Sequence, residues 1–264
     1  MYHLAKGLYM LATSKEEYSV ILLGLDNAGK TTFHEQVKAL FSPDQPAAPP
    51  KLQTVPTVGQ NVSTITLPDM YMKLWDVGGQ LSLRKLWQSY YQSCHAIVFI
   101  IDSTDIGDGL LDDGVAVSTA STGAAAGAAS PSSSTVPASA SASASSSSSS
   151  SAALAATAAT VPLGEATRLD ECRAVLEDVL QHSDTEGVPL LILANKQDRE
   201  DCVEVVRIKE GLVKKVFEGE KASSIRDSRV LPVSALTGTG VREAVEWLRS
   251  RVKWNKESRP PVMR

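Results

Sequence analysis

The chain is short of several things that define protein classes. It has three cysteines, Cys94, Cys172 and Cys202, and none stands in C-x-x-C spacing. That fits buried or incidental thiols in a reducing compartment. Its four histidines, His3, His34, His95 and His182, stand singly, without a metal-ligand partner at useful spacing. No apolar run approaches the ~20 residues needed to span a bilayer. Lys6 and Lys15 bracket a short, broken apolar stretch, so no secretory signal is expected. Tyr2 stands where N-myristoylation requires glycine, and no C-terminal cysteine invites prenylation. The net charge is −4, so there is no basic excess and no nucleic-acid partner is expected.

What is present divides unevenly. Residues 107–164 are almost wholly Ser, Ala, Gly and Thr with a few Pro, including an unbroken serine run from 145 to 151. Such a stretch offers too little apolar area to offset the entropy of ordering it. It is expected to be a disordered surface insertion, tolerated because loop-closure cost grows by only about 0.6 kcal/mol per doubling of length. Residues 16–106 and 165–254 then form a single domain, and 255–264 a tail. Ahead of it, Met1, Leu4, Ala5, Leu8, Leu11 and Ala12 recur at helical spacing, which predicts an amphipathic helix over 1–15. Such a helix either packs on the domain or lies on a membrane surface.

The chemistry begins where a strand-like run, 18–23, enters Gly24-Leu25-Asp26-Asn27-Ala28-Gly29-Lys30-Thr31-Thr32. This fits the phosphate-loop pattern G-x-x-x-x-G-K-[ST]. Glycines let the backbone wrap phosphate oxygens with its N–H groups inward. The following helix, about 30–40, aims its positive dipole end at the same oxygens. Lys30 supplies a point charge to the β/γ-phosphates, and the Thr31 hydroxyl suits Mg²⁺.

Two more motifs follow. In Leu74-Trp75-Asp76-Val77-Gly78-Gly79-Gln80, Asp76 is placed to hold Mg²⁺ through water. Gly79 brings an N–H close to a γ-phosphate, and Gln80 orients an attacking water. An apolar strand then delivers Asn195-Lys196-Gln197-Asp198. A carboxylate at Asp198 accepts from guanine N1–H and its exocyclic amine, a donor pair that adenine lacks. Asn195 meets the purine edge and braces the loop, the Lys196 stem covers the ring, and the Ala235 N–H meets the guanine oxygen.

These residues, with Val55–Val62 (VPTVGQNV), Leu86–Asp105 and Ser234–Val241 (SALTGTGV), resemble small GTPases of the ADP-ribosylation factor (Arf) family, over nearly the whole chain except 106–164 and the last residues. Asp26 within the loop is an Arf-like choice. The Met1-Tyr2 start and Leu25-Asp26-Asn27 resemble the Arf-related branch, which acts at the trans-Golgi.

The resemblance implies the P-loop small-GTPase fold: an α/β domain with a six-stranded, mostly parallel sheet, one edge antiparallel, and helices on both faces. It implies GTP/GDP and Mg²⁺ as cofactors, with Thr57 as a switch threonine joining Thr31 on the metal and Lys30 and Gln80 as the catalytic pair. It also implies a hairpin, about 62–67 and 71–75, that slides on GTP binding and ejects the N-terminal helix. Trp75 and Tyr90 match effector-facing positions, whereas Gln60 replaces the usual Phe.

The expected partners are an exchange factor, a GTPase-activating protein, effectors, a Golgi membrane receptor for an acetylated N-terminus, and the membrane surface. Two rivals remain open from sequence: a GTP-bound scaffold with negligible hydrolysis, and a P-loop kinase or ATPase.

Overall fold

The computed structural model describes residues 14–41, 55–105, 168–218 and 227–264. The expected N-terminal helix, apart from residues 14 and 15, and the 107–164 insertion lie outside them.

Strand β1 (Glu16–Leu23) is central. Its apolar run sits between two covered faces, the environment that selects continuous rather than alternating hydrophobics. Helix α1 (Lys30–Phe41) follows, then an antiparallel hairpin of β2 (Gln60–Thr66) and β3 (Met70–Val77). A 3₁₀ turn (Leu81–Leu86) and a short α2 (Gln88–Tyr91) lead to β4 (Ala96–Asp102). Helix α3 (Arg168–Gln181) precedes β5 (Leu190–Asn195), and β6 (Ser228–Pro232) leads into α6 (Val241–Trp254). The strand order is β2-β3-β1-β4-β5-β6, parallel throughout except at β2, as expected.

Alternation along β1 builds two cores. Tyr18, Val20 and Leu22 pack with Phe33, Val37, Val245 and Leu248 under α1 and α6. Ile21 and Leu23 pack with Phe99, Leu176, Val179 and Leu212 on the other face. Each large side chain so buried contributes about 1.5–3 kcal/mol. The register places Leu22 beside Asp76, Asp102 beside Asn195, and Ala194 beside Pro232. The three motif-bearing turns therefore leave the sheet at one edge, the carboxyl ends of its strands, where open α/β sheets bind ligands.

Two features differ from the sequence reading. Residues 205–217 are helical: α4 (Val205–Arg207), a π-helical segment (Ile208–Val213) and α5 (Lys214–Phe217). Ile208, Leu212, Val213 and Val216 are buried from this stretch, and the widened π turn blurs the 3.6-residue rhythm that marks a helix.

Residues 255–264 are not a free tail. A seventh strand, β7 (Val262–Met263), pairs antiparallel with the start of β1. Lys15 and Arg264 exchange backbone hydrogen bonds at 3.0 Å. Arg259 supplies the anchor, donating to the carbonyls of Tyr91 (2.8 Å) and Cys94 (3.0 Å) and to that of Asp184. Its fixed fork of donors satisfies several helix-end and loop oxygens at once. Pro260 and Pro261 keep the backbone extended on the way into β7.

Candidate functional site

A cleft of about 530 Å³ opens at the carboxyl edge of the sheet. It is lined by Asp26, Asn27, Gly29, Lys30, Thr31, Thr32, Val55, Pro56, Thr57, Gly79, Gln80 and Lys196. Ten of the expected site residues thus converge on one space. Gly24, Leu25 and Ala28 form the loop behind it, and Asp76 lies beneath the threonines. Asn195, Asp198 and Ala235 stand at the far end, beside the lining.

The loop needs its first glycine. Gly24 has φ +137°, and a Cβ there would overlap the Ile100 carbonyl of β4. Lys30 is only 6 % exposed, and its Nζ donates to the Gly24 carbonyl (3.0 Å) and the Leu25 carbonyl (2.6 Å). Burial pulls its ammonium down to about 8, against the opposing pull of Asp76 and Asp26. A lysine so desolvated is relieved by an anion placed beside it.

Beneath it, the Thr31 and Thr57 hydroxyls lie 2.7 Å apart, and Thr31 donates to Asp76 Oδ2 at 2.8 Å. Thr57 (3.4 Å) and the Asn61 amide (3.2 Å) reach the same oxygen. Asp76 is fully buried, and its Oδ1 has no partner among the described residues. An orphaned carboxylate oxygen under two hydroxyls is an all-oxygen donor set, and it fits a small hard cation such as Mg²⁺. The residues present fit that ion.

Gly79 is tightly enclosed: a methyl group there would overlap Lys30 Nζ and the Gly24 carbonyl. Gly78 N–H donates to the Gly59 carbonyl (3.0 Å), and Trp87 Nε1 donates to the Gly78 carbonyl (3.0 Å). Gln80, at the start of the 3₁₀ turn, is exposed in the cleft wall. On the outer face, Trp75 and Tyr90 meet at 5.3 Å, and the Tyr90 hydroxyl donates to the Gln60 side chain.

The other end is stitched internally. Asn195 donates to the Ala28 carbonyl (2.8 Å), bracing the loop as expected. Its Oδ1 takes the Ala235 N–H at 2.9 Å, so the N–H expected to face a purine oxygen serves the asparagine here. Lys196 sits at φ +65°, with its ammonium on Asp102. Asp198 accepts from the Ser234 hydroxyl at 2.5 Å.

Four residues of this site escaped sequence reasoning. Asp102 and Asn61, on β4 and β2, and Ser234, just past β6, buttress motif residues. Arg168 donates to the Asp26 side chain (3.0 Å) and carbonyl (2.9 Å). Ser234, Asn61 and Asp102 lie within the family-like stretches Ser234–Val241, Val55–Val62 and Leu86–Asp105, but nothing there names their partners; Arg168 carries no signal.

A phosphate loop, a carboxylate behind paired hydroxyls and an N-K-x-D turn at one edge of a mixed sheet define a small GTPase. The ADP-ribosylation factor family profile matches residues 4–108 and 158–252, and the chain belongs to that family; it is a GTP hydrolase.

ADP-ribosylation factor-like protein 3 of Saccharomyces cerevisiae is 42 % identical over 263 residues, 99 % of each chain. ADP-ribosylation factor-related protein 1 of Homo sapiens is 33 % identical over 266 residues, 100 % of this chain and 98 % of that one. The Arl6 small GTPase of Trypanosoma brucei, solved with the nucleotide analogue GppNp, shares the fold. Its TM-score is 0.56 at 22 % identity, covering 90 % of this chain and 98 % of that one.

Proposed function

We propose that the protein is a GTP/GDP-switched regulator of Golgi membrane recruitment and vesicle trafficking, moving between cytosol and trans-Golgi membranes. The observation that carries the switch is that Thr57 and Gly79, from two separate segments, both line the phosphate end of one cleft. The Golgi assignment rests on the likeness of the Met1-Tyr2 start and the Leu25-Asp26-Asn27 loop to the Arf-related branch.

In this reading Lys30 and the amides of Gly24–Thr32 hold the β/γ-phosphates, and Thr31 and Thr57 would hold Mg²⁺, with Asp76 supporting the ion from behind. The ion's contribution when bound is to neutralise charge on the phosphate oxygens. Gln80 orients the water for in-line attack. Asp198 selects guanine, Lys196 covers the ring, and Asn195 with Ala235 fixes the base end.

Loss of the γ-phosphate removes what Thr57 and Gly79 reach for, and both segments relax. Arg84 and Arg168 are both engaged with protein oxygens. A GTPase-activating protein therefore supplies the arginine, worth ~10³–10⁵ in rate for this chemistry. An exchange factor resets the switch, and effectors and a membrane receptor read it.

The test is the distribution in cells of tagged wild-type protein and Thr31→Asn. Removing the hydroxyl shared with Thr57 and Asp76 should bias the protein to GDP and shift it from Golgi membranes to cytosol. Identical distributions of the two would contradict the proposal.

A further inference from the structure

Outside the cleft, a chain of charges runs from one wall to the other. Arg84 Nε donates to the Gly79 carbonyl at 3.1 Å, and its Nη2 donates to Glu171 Oε1 at 2.6 Å. The second oxygen of Glu171 accepts from Arg168 at 3.0 Å. Arg168 in turn grips Asp26 through both side chain and carbonyl. Arg168 and Glu171 are one turn apart at the start of α3, so they share a face.

We propose that Arg84, Glu171 and Arg168 are positioning residues for hydrolysis: they set the Gly79–Gln80 peptide against the phosphate loop. This rests on the GTPase reading above. A peptide bond is planar, so fixing the Gly79 carbonyl fixes the direction of the Gln80 N–H and the position of its Cα, from which the side chain departs. Gly79 has no slack on its inner side, where Lys30 and Gly24 press on it. The outer grip of Arg84 therefore determines how the peptide lies.

Isolated surface ion pairs contribute little. This one is different in kind: the Arg84 side chain is only 13 % exposed, and its planar fork serves a carboxylate and a backbone oxygen together. A lysine can reach one of these but has no fork to hold both. None of the three side chains lines the cleft, so they act on the reaction only through Gly79, Gln80 and Asp26.

The experiment uses the full chain loaded with GTP. It compares wild type, Arg84→Lys, Glu171→Gln and the double variant. Single-turnover hydrolysis and release of a fluorescent GTP analogue are followed, with thermal melts alongside. Each single variant should hydrolyse GTP at least ~10-fold more slowly, within the ~100-fold that a misplaced group can cost, while nucleotide release changes by less than about twofold. The double variant should be no slower than the slower single, because both break one chain.

Three results would overturn the proposal: wild-type hydrolysis in both singles, equal loss of hydrolysis and nucleotide retention, or fully multiplicative effects in the double. Should wild type fail to retain GTP, the GTPase reading falls instead.

Discussion

The base end and the phosphate end of the cleft are held together by different means. At the base end, Asn195 is 2 % exposed and ties Ala28 to Ala235, while Lys196 meets Asp102 and Ser234 meets Asp198. These bonds join buried strands and their following turns, and each is complete within the protein. At the phosphate end, Thr31, Thr57 and Asn61 crowd onto one oxygen of Asp76, whose other oxygen has no partner among the described residues. The segments around that end expose Val55 (82 %) and Val58 (85 %), beside Thr57, and Leu81 (75 %), after Gln80, to solvent. One end is a finished scaffold. The other is a cluster of like demands that a bound anion and cation would satisfy. A switch needs that asymmetry, since only contacts that depend on the ligand change when the ligand does.

The comparison is broken most severely by Asn195→Ala. It leaves the Ala28 carbonyl and the Ala235 N–H unpaired in the interior, at about 1–3 kcal/mol each. Nucleotide affinity should fall by roughly 100-fold and the melting temperature with it. Titration with a fluorescent GDP, giving near wild-type affinity, would show that the base end is not the scaffold described.

Gly79→Ala should strike only the phosphate end. Its methyl overlaps Lys30 and Gly24, at the ~1–3 kcal/mol of overpacking. GTP affinity should drop ~5–150-fold while GDP affinity holds. Equal losses for the two nucleotides would erase the distinction.

The smallest effect concerns the hairpin that joins the switches. Asp69, in the turn between β2 and β3, is bound by Arg249 (2.8 Å) and Lys253 of α6. The Arg249 hydrogen bond above all holds its carboxyl down to about 2. A depressed carboxyl adds stability above its unfolded pKa near 3.9 and loses it as pH falls toward 2. Asp69→Asn should therefore cost up to about 1 kcal/mol at pH 6, with the gap narrowing below pH ~4 in denaturant melts. A gap unchanged down to pH ~3 would remove the ion pair as its cause.

Legibility followed the same divide in physical terms. Lys30, Thr31, Asp76, Gly79 and Asn195 could be read because phosphate and metal chemistry demand adjacent residues in a fixed order, and a strand end displays them. Asp102, Arg84, Arg168 and Glu171 could not, because the contacts that tie them to the site, Asp102 to Lys196, Arg84 to Glu171 and Arg168 to Asp26, join residues far apart in the chain. The helical stretch 205–217 hid behind a π turn that disrupts the period. Arg259 and β7 were read as a tail because a two-residue strand has no pattern of its own. Ala235 was found, but the partner of its N–H was not, since Asn195 and a ligand compete for one donor.

Asp198 is proposed to read guanine at the base end of this cleft, where it stands exposed. The direct measurement is competition among GTP, xanthosine triphosphate and ATP for wild type and Asp198→Asn. Wild type should prefer GTP. The asparagine accepts the ring N–H but offers its second contact as a donor, which matches the 2-oxo group of xanthine, so preference should move to xanthosine triphosphate. Wild type that holds ATP as well as GTP, or a variant whose preference stays with GTP, would contradict the account.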